Sequence, residues 1–483
     1  MSYFRSLYEQ VYKRGDLSIL DKKSKKSFFN KSGRRANSVA IIGGALGDEG
    51  KGRVADEVAS RFLQKHPHLI FYRDNGGANA GHTVEYNQTK IVLHQLGAGV
   101  LQEKATVIMG KEMVLHPEDL VMEINAVYKA LKIKKIPADL KIDEMAFLCL
   151  DTHRAFEAVL KMRSTGSKGA TGRGIAPAYA DVVYRHPLRM RDLASKDWEG
   201  KLKKHYELYE QLAAGCGFKL AEIKVPRLEG EPIKLGTFEE MLDRTLKAKK
   251  VLKKYIEPVN DLLAKYWASD TPFMIEKAQA LGLDKRWGVY PDVTASNCSF
   301  DGVLSSTEGI IDHDQLAVRA ATIKATYTSS VGSRVLPTQM NEKLAKRIRE
   351  DANEYGATTG RPRDIVHIDL PMLSFLFKVS KAEELVMTHL DICYQDTPVK
   401  VCIAYEIDGR EVGYRPDQEF LNKVKPVYLE LPAWDGKAVA GAKKFTQLPQ
   451  EALQYVAFIS LALGVRPFMI TTGPKREQTI GCY

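Results

Sequence analysis

The sequence has neither a long apolar run nor a cysteine pairing pattern. Its longest apolar candidate, residues 456–465, is about half of the roughly 20 residues that cross a bilayer, and it contains Ser460. The 6 cysteines show no CxxC spacing, which argues against a disulfide framework or a zinc site. The first residues lack a secretory apolar core and include Glu9, Asp16 and Asp21, unlike most organellar leaders. We therefore exclude an integral membrane protein and expect reduced thiols and a cytoplasmic location.

Little of the net positive charge lies outside the first residues. The formal net charge is +11, but residues 1–37 contribute +7 of it and the rest only +4. Nucleic acid is therefore an unlikely partner for the main body of the chain. We predict a basic N-terminal extension over residues 1–37 and a single domain over 38–483. A solvated, mobile tail is the simpler interpretation of the extension, although contact with acidic partners or RNA stays open.

Short apolar runs followed by chain breakers recur along the sequence. Residues 39–42 form such a run, and residues 54–62 follow it with helical spacing. Other strand-like runs are residues 69–72, 105–109, 273–275, 385–387 and 468–470. Helical stretches separate several of them, for example residues 117–131. This alternation predicts an α/β fold with a large, mainly parallel sheet and helices on both faces.

Two regions depart from the alternation. Residues 197–270 are rich in Lys, Glu and Leu at helical spacing, which predicts an inserted helical region. Residues 399–405 and 411–414, joined through Asp408 and Gly409, have the pattern of a hairpin. We therefore expect helical and hairpin insertions in the α/β fold.

The strongest local signal is the glycine-rich segment Gly43-Gly-Ala-Leu-Gly-Asp-Glu-Gly-Lys-Gly52. A glycine loop before a helix turns backbone N–H groups and the helix dipole toward one point, where Lys51 can reach phosphate oxygens. The spacing is only P-loop-like, because Ala45 replaces the first glycine and Gly52 replaces the magnesium-binding hydroxyl. Asp48 would repel phosphate unless it binds a metal or transfers a proton, so it is a functional candidate. The alternative is a glycine turn with a surface lysine.

Three further clusters carry chemistry. Residues 74–83 contain Asn79 and His82, and a histidine beside a phosphate loop can donate to a developing oxyanion, although a structural loop histidine is the alternative. Residues 169–179, with Thr171 and Arg173, suit a second phosphate or form an ordinary tight loop. Residues 357–363 suit a dicarboxylate or triphosphate, or form a solvated basic turn.

Six motifs in this order resemble those of adenylosuccinate synthetases, and the likeness spans about residues 38–476. They are Gly47-Asp-Glu-Gly-Lys-Gly52, Asn79-Ala-Gly-His-Thr83, Thr171-Gly-Arg-Gly-Ile175, Tyr290-Pro-Asp-Val-Thr-Ala-Ser-Asn297, Ala357-Thr-Thr-Gly-Arg361 and Thr472-Gly-Pro474. The resemblance implies a P-loop-like, GTP-binding ligase that joins L-aspartate to C6 of IMP through a 6-phosphoryl intermediate. Adenylosuccinate, GDP and phosphate would be its products.

The resemblance also implies residue roles. Asp48 would remove the N1 proton of IMP, His82 would stabilise the transferring phosphoryl group, and Lys51 and Gln279 would complete the catalytic set. One Mg²⁺ per subunit would lie between Asp48, the carbonyl of Gly81 and the GTP phosphates. Arg185 would reach the IMP phosphate of the neighbouring subunit, which implies a homodimer with shared sites.

The binding residues implied by the resemblance fall into three sets. IMP would be held by Asp48, Lys51, Asn79, His82, Thr171, Arg185, Gln279, Thr294 and Arg361. L-Aspartate would be held by Ala357, Thr358, Thr359, Gly360, Arg361 and Arg363. GTP would be held by Gly47, Gly50, Lys51, Gly52, Gly81, Thr83, Arg363, His389, Asp391, Thr471 and Gly473, with Asp391 reading guanine.

Several positions depart from the family pattern around the nucleotide pockets. His389 and Arg53 stand where lysines are usual, and Ala280 and Ser330 replace a glycine and an arginine. One alternative is therefore the same chemistry on another 6-oxopurine nucleotide, such as dGMP, or with ATP as donor; Asp48 argues for IMP. An alternative of another class is a non-catalytic nucleotide- or RNA-binding regulator.

Overall fold

The computed structural model describes residues 1–21, 28–86, 89–163, 171–332, 334–356 and 360–481. Within these ranges the strands are β1 (Arg35–Gly43), β2 (Leu69–Gly77), β3 (His82–Tyr86), β4 (Thr89–Leu93), β5 (Ala105–Leu115), β6 (Asp139–Asp143), β7 (Phe147–Leu148), β8 (Lys224–Val225), β9 (Ile233–Lys234), β10 (Ile256–Glu257), β11 (Phe273–Glu276), β12 (Leu316–Lys324), β13 (Thr328–Ser330), β14 (Asp364–Val366), β15 (Ile368–Asp369), β16 (Glu384–Thr388), β17 (Val399–Ile407), β18 (Arg410–Val412), β19 (Lys425–Leu431), β20 (Arg466–Thr471) and β21 (Thr479–Gly481).

The α-helices in the same ranges are α1 (Ser2–Tyr8), α2 (Lys51–Lys65), α3 (Pro117–Leu131), α4 (Asp151–Arg163), α5 (Ile175–Tyr184), α6 (Met190–Ala194), α7 (Trp198–Gly215), α8 (Phe238–Leu252), α9 (Asn260–Trp267), α10 (Gly302–Ser306), α11 (Glu342–Ala352), α12 (Leu370–Ser380), α13 (Gln418–Leu421), α14 (Gly436–Val439) and α15 (Gln450–Leu463). A π-helical turn, Glu9–Lys13, continues α1. Among these residues, no helix combines the length and apolarity needed to span a membrane.

One large sheet organises the chain. Eleven of the described strands belong to it, in the order β10-β6-β5-β2-β11-β1-β12-β16-β20-β21, with β7 beside β5. Neighbouring strands run parallel except at the β20–β21 edge, where they run antiparallel. The predicted mainly parallel α/β sheet is therefore confirmed. All of the apolar runs predicted as strands lie in strands of this sheet.

Helices cover both faces of the sheet, and strand β1 shows how the sequence achieves this. Val39 and Ile41 belong to the apolar cluster that contains residues of α2, α3, α4 and α7. Ala40 and Ile42 belong to the opposite cluster, with residues of α12 and α15. Successive side chains of a strand point to opposite faces, so a continuous apolar run is required for a strand that is buried on both sides.

The predicted insertions are largely present. Strands β17 and β18 pair antiparallel around Asp408 and Gly409, whose φ angles of 51° and 75° are those of a tight hairpin turn. The region 197–270 contains α7, α8 and α9 as predicted. It also contains the strand pair β8–β9 and strand β10, which joins the edge of the main sheet.

The N-terminal segment is not the solvated tail that the composition suggested. Leu7 and Val11 are buried in the apolar cluster that includes α15, and Phe4, Tyr8 and Tyr12 pack against the same cluster. These five residues repeat at the spacing of an amphipathic helix, a pattern that the charge count of residues 1–37 conceals. Strand β1 also begins earlier than expected, at Arg35. The division of the chain at residue 37 stays a prediction.

Candidate active site

The glycine-rich loop leads from the central strand β1 into helix α2. Gly47, Asp48 and Gly50 have positive φ angles of 99°, 61° and 82°, and Gly50 is the N-cap of α2. A helix that begins at Lys51 directs its free N–H groups and its positive dipole end into this loop. The loop lies beyond the carboxyl end of a parallel strand, which is where open α/β sheets bind ligands.

Glu49 occupies the inside of the loop. Its carboxylate accepts hydrogen bonds from Gly47 N at 2.7 Å and Ala45 N at 3.3 Å, and its Oε2 lies 2.7 Å from Lys51 Nζ. Glu49 therefore satisfies the loop amides and holds the lysine. Glu49 stands inside the glycine-rich motif, but the motif by itself assigns it no role.

The Asp48 side chain is 37% exposed. Arg363 Nε lies 3.4 Å from its Oδ2. Burial by itself would raise the pKa of the Asp48 carboxyl, but the charges of Lys324, Arg363 and Lys51 outweigh it and hold the pKa below its usual value. Asp48 is therefore ionised at neutral pH.

A buried carboxylate that no sequence motif indicates positions the cations around Asp48. Glu354 pairs with Lys324 and accepts a hydrogen bond from the Tyr327 hydroxyl at 2.6 Å. Its main-chain oxygen accepts from Arg363 N at 3.0 Å. Glu354 thus anchors two of the cations that keep Asp48 ionised.

His82 lies beside the first turn of α2. A Cβ placed on Gly52 would approach the His82 ring to 2.7 Å, so this position has no room for a side chain. Burial and the nearby positive charge of Arg73 hold the pKa of His82 well below its usual value, so the ring is neutral. Its Nε2 is buried without a hydrogen-bond partner in the described structure and lies 3.8 Å from Glu276. The structure therefore brings His82 and the Asp48 loop to the same helix turn.

Two predicted IMP-binding residues, Asn79 and Gln279, follow the ends of the neighbouring strands β2 and β11. Gln279, with a φ of 58°, accepts a hydrogen bond from the Ser296 hydroxyl at 2.9 Å, and Ser296 Oγ lies 3.5 Å from Thr294 Oγ1. The Gln279 Nε2 and the Asn79 Oδ1 are buried and have no partner among the described residues. A buried polar atom without a partner points to a ligand.

The predicted guanine-binding segments also converge on the first loop. His389 N donates to Thr471 Oγ1 at 3.1 Å, and Arg53 Nη1 donates to Gly473 O at 2.6 Å. Thr388 Oγ1 donates to the Glu49 carbonyl at 3.0 Å. Arg53, at a position where the family pattern has lysine, therefore ties α2 to the segment after β20.

Burial shifts the pKa values of His389 and Asp391 in the predicted guanine-binding segment. Burial and the charges of Lys324 and Arg53 lower the pKa of His389 to about 3, so the ring is neutral. Burial raises the pKa of the Asp391 carboxyl from its ordinary value.

The departure at Ser330 has a structural counterpart. The buried guanidinium of Arg334 donates to Ser330 Oγ at 3.0 Å and to the carbonyl of Val331 at 2.7 Å. It also donates to the carbonyl of Asp292 at 2.6 Å. A guanidinium therefore reaches position 330 from four residues further along the chain and links it to the loop that carries Thr294.

The remaining predicted site residues are exposed or lie outside the described residues. Ala357, Thr358 and Thr359 lie outside the described residues, whereas Gly360 and Arg361 are exposed beside Arg363. Gly81, Thr83 and Thr171 are exposed. Arg185 is exposed at the C-cap of α5, with a φ of 68°, next to Val183 and Tyr184, which are 79% and 71% exposed.

Among the residues that the structure describes, three groups of His, Asp and Glu side chains could hold a metal ion by geometry, and none of them contains Asp48. They are His153, Asp181 and His205; His116, Glu118 and Asp151; and Asp312, His313 and Asp314. The Nδ1 atoms of His153 and His116 accept backbone N–H groups at 2.9 and 3.2 Å. In a neutral ring the proton then lies on Nε2, which faces Asp181 in His153 and Asp151 in His116. A metal would need this nitrogen to be unprotonated. The first two groups are therefore structural hydrogen-bond networks.

The central strand of a parallel sheet leads through a glycine-lysine loop into a helix, and an ionised carboxylate and a neutral imidazole lie at that turn. This arrangement defines a P-loop-like, nucleotide-dependent α/β enzyme. The adenylosuccinate synthetase family model matches residues 40–480. The chain therefore belongs to the adenylosuccinate synthetase family.

Individual relatives agree with this membership. The adenylosuccinate synthetase of Caldicellulosiruptor bescii is 33% identical over 91% of this chain and 98% of its own length. That of Aquifex aeolicus is 34% identical over 91% of this chain and 96% of its own. The fully ligated adenylosuccinate synthetase of Plasmodium falciparum has a TM-score of 0.80 at 27% identity, covering 92% of this chain and 100% of that one.

A more distant structure shares the fold alone. The succinoaminodeoxyadenylate synthetase of cyanophage S-2L, bound to dGMP and to dATP as an energy donor, has a TM-score of 0.53 at 17% identity. It covers 92% of this chain and 95% of its own.

Proposed function

We propose that the chain joins L-aspartate to C6 of IMP with GTP as phosphoryl donor, giving adenylosuccinate, GDP and phosphate. Family membership supports the reaction. The single observation that carries the site assignment is that an ionised Asp48 and a neutral His82 both lie at the N-terminal end of α2. A non-catalytic regulator would not need to keep both groups in these states.

Asp48 starts the first step. Its ionised carboxylate accepts the N1 proton of IMP, and the electron pair shifts to O6, which attacks the γ-phosphorus of GTP as GDP leaves. The cations around Asp48 keep it deprotonated before the step. The amine of aspartate then attacks C6 and loses a proton. The bond between C6 and the phosphorylated oxygen breaks, and this group leaves as phosphate.

His82 and Lys51 stabilise the transferring phosphoryl group. The unpaired Nε2 of His82 can donate a hydrogen bond as charge develops on phosphate oxygens. Lys51 is held by Glu49 at the loop and would exchange that partner for a phosphate oxygen. Gln279, whose Nε2 is also unpaired, would face the purine.

Magnesium fits the donor set that the sequence indicates. An ionised, partly exposed Asp48 carboxylate and the exposed Gly81 segment offer the oxygen ligands that Mg²⁺ prefers. Asp48 and the Gly81 carbonyl would hold one Mg²⁺ per subunit. When bound, this ion neutralises charge on the GTP phosphates.

The other predicted residues would bind the guanine base, aspartate and IMP. Asp391 would accept the N1–H and amino group of guanine, with His389, Thr471 and Gly473 around the base. The loop over residues 357–363 would hold aspartate, since Arg363 reaches Asp48. Asn79, Thr171, Thr294 and Arg361 would hold IMP.

Shared sites in a homodimer are part of this proposal. The exposed apolar side chains of Val183 and Tyr184 flank Arg185, and such a patch is suited to burial against a second copy. A cytoplasmic location also belongs to it, because the described cysteines are free thiols.

The test is a measurement of succinyl-purine formation from purified protein. IMP, aspartate, GTP and Mg²⁺ should give adenylosuccinate, whereas replacing IMP with dGMP or GTP with ATP should lower kcat/KM by at least about a hundredfold. Preference for dGMP or ATP would overturn the substrate assignment. Absence of phosphate release with every pair would overturn the enzyme assignment.

A further inference from the structure

The first residues of the chain form a packed element that the family match does not include. We call residues 1–21 the N-terminal arm; the match begins at residue 40. The arm lies along α15, and its Leu7 and Val11 are buried there. Gln454 of α15 donates a hydrogen bond to the Val11 carbonyl at 3.4 Å.

Tyr12 packs the arm against α15, which lies between the arm and the predicted guanine-binding segment, residues 388–393. Its ring stacks on Tyr8 at 4.9 Å and meets Phe458 of α15 edge-on at 6.2 Å. Phe458 and Tyr455 both lie on α15, so the Tyr12 ring contacts the helix that also carries Tyr455.

The same apolar cluster continues to the backbone of that segment. Leu390 and Cys393 belong to the cluster that contains Val11. Trp434 packs on Tyr455 at 5.2 Å and donates its indole N–H to the Leu390 carbonyl at 3.0 Å. Packing is therefore continuous from the arm through α15 to the residues on either side of Asp391.

We propose that the N-terminal arm, through Tyr12, is a positioning element for residues 388–393 and so sets the affinity for the guanine nucleotide. The inference rests on the proposed role of Asp391 in reading guanine. A bidentate hydrogen-bond pair tolerates little displacement, so support beneath its backbone is expected to affect guanine binding more than IMP binding. Tyr12 acts through packing, because its hydroxyl has no hydrogen-bond partner in the described structure.

The kinetic test compares two substitutions of one residue. Tyr12→Ala should raise the KM for GTP about tenfold, with kcat and the KM for IMP each within about twofold of the unmodified chain. Tyr12→Phe should behave like the unmodified chain because it keeps the ring. Val159→Ala, which removes buried apolar volume from α4 in the opposite cluster, controls for general destabilisation. An unchanged KM for GTP in Tyr12→Ala, or an equal rise in Val159→Ala, would overturn the inference.

Hydrogen exchange supplies a readout that does not depend on catalysis. The amides of residues 389–393 should exchange about tenfold faster in Tyr12→Ala than in Tyr12→Phe, while those of β11 stay unchanged. Unchanged protection at 389–393 would overturn the positioning role. If the unmodified chain has no ligase activity but the exchange result holds, the proposed function fails and the structural role of the arm stands.

Discussion

Arg363 Nε lies 3.4 Å from Asp48 Oδ2, which joins the loop expected to bind aspartate to the loop expected to bind phosphate. Two motifs far apart in the sequence thus share one ion pair. Under the proposed function, the attacking amino acid would lie beside the group that activates the purine. Arg363 is one of the charges that lower the pKa of Asp48.

Replacing Asp48 tests the proton-transfer role. Asp48→Asn should lower kcat by at least about a hundredfold, because an amide cannot accept the N1 proton. Thermal unfolding should change little, since the side chain is partly exposed. Asp243→Asn, which alters an exposed carboxylate paired with Lys247, should keep full turnover. Normal turnover in Asp48→Asn would refute the role.

Gly52→Ala tests the placement of His82 without altering His82 itself. The new methyl group would come within 2.7 Å of the His82 ring, so the ring must move. We expect kcat to fall at least about tenfold. Gly215→Ala is the matched control, because its new methyl group meets nothing within 4 Å at the end of α7. That control should be neutral or stabilising by about 0.5–1 kcal/mol; similar kinetics in the two variants would contradict the placement.

Glu123 gives a pH dependence of stability. Burial raises the pKa of this carboxyl from 4.5 to about 7, although the amides of His94, Gln95 and Leu96 act in the other direction. The folded state therefore binds the proton more tightly than the unfolded state, and stability falls as pH rises from about 4.5 to about 7.

The measurement is the free energy of unfolding by denaturant between pH 5 and 8. The unmodified chain should lose roughly 2.5 kcal/mol more over this range than Glu123→Gln, which has no carboxyl to titrate. Glu207→Gln changes an exposed carboxylate on α7 and should leave the dependence intact. Parallel curves for the unmodified chain and Glu123→Gln would rule out the raised pKa.

Mixing two defective variants tests the shared site. Arg185→Leu should raise the KM for IMP at least about tenfold, because a phosphate contact is lost. When Arg185→Leu is mixed equally with Asp48→Asn, half of the dimers should contain one intact site, so about a quarter of full activity should return. Activity no higher than the sum of the separate variants would show that the sites are not shared.

Six of the eleven described strands in the large sheet could be predicted, because a parallel strand that is buried on both faces requires an unbroken apolar run. Helix α3 has the predicted bounds since Pro117 and the acidic residues after it mark a first turn. The N-terminal arm was missed because residues 1–37 were interpreted together by their net charge, although the basic excess lies after residue 21. Glu49, Lys324 and Glu354 were missed because each acts through a partner that local sequence cannot reveal.

The sequence by itself determined the fold class, the family and the residue types of the phosphate loop, because glycine turns and strand hydrophobicity are local properties of the chain. Only the tertiary structure decided the charge states of Asp48 and His82. A pKa depends on burial and on nearby charges, and here those charges come from β12, from residue 363 and from residue 73. These segments meet only when the sheet has formed.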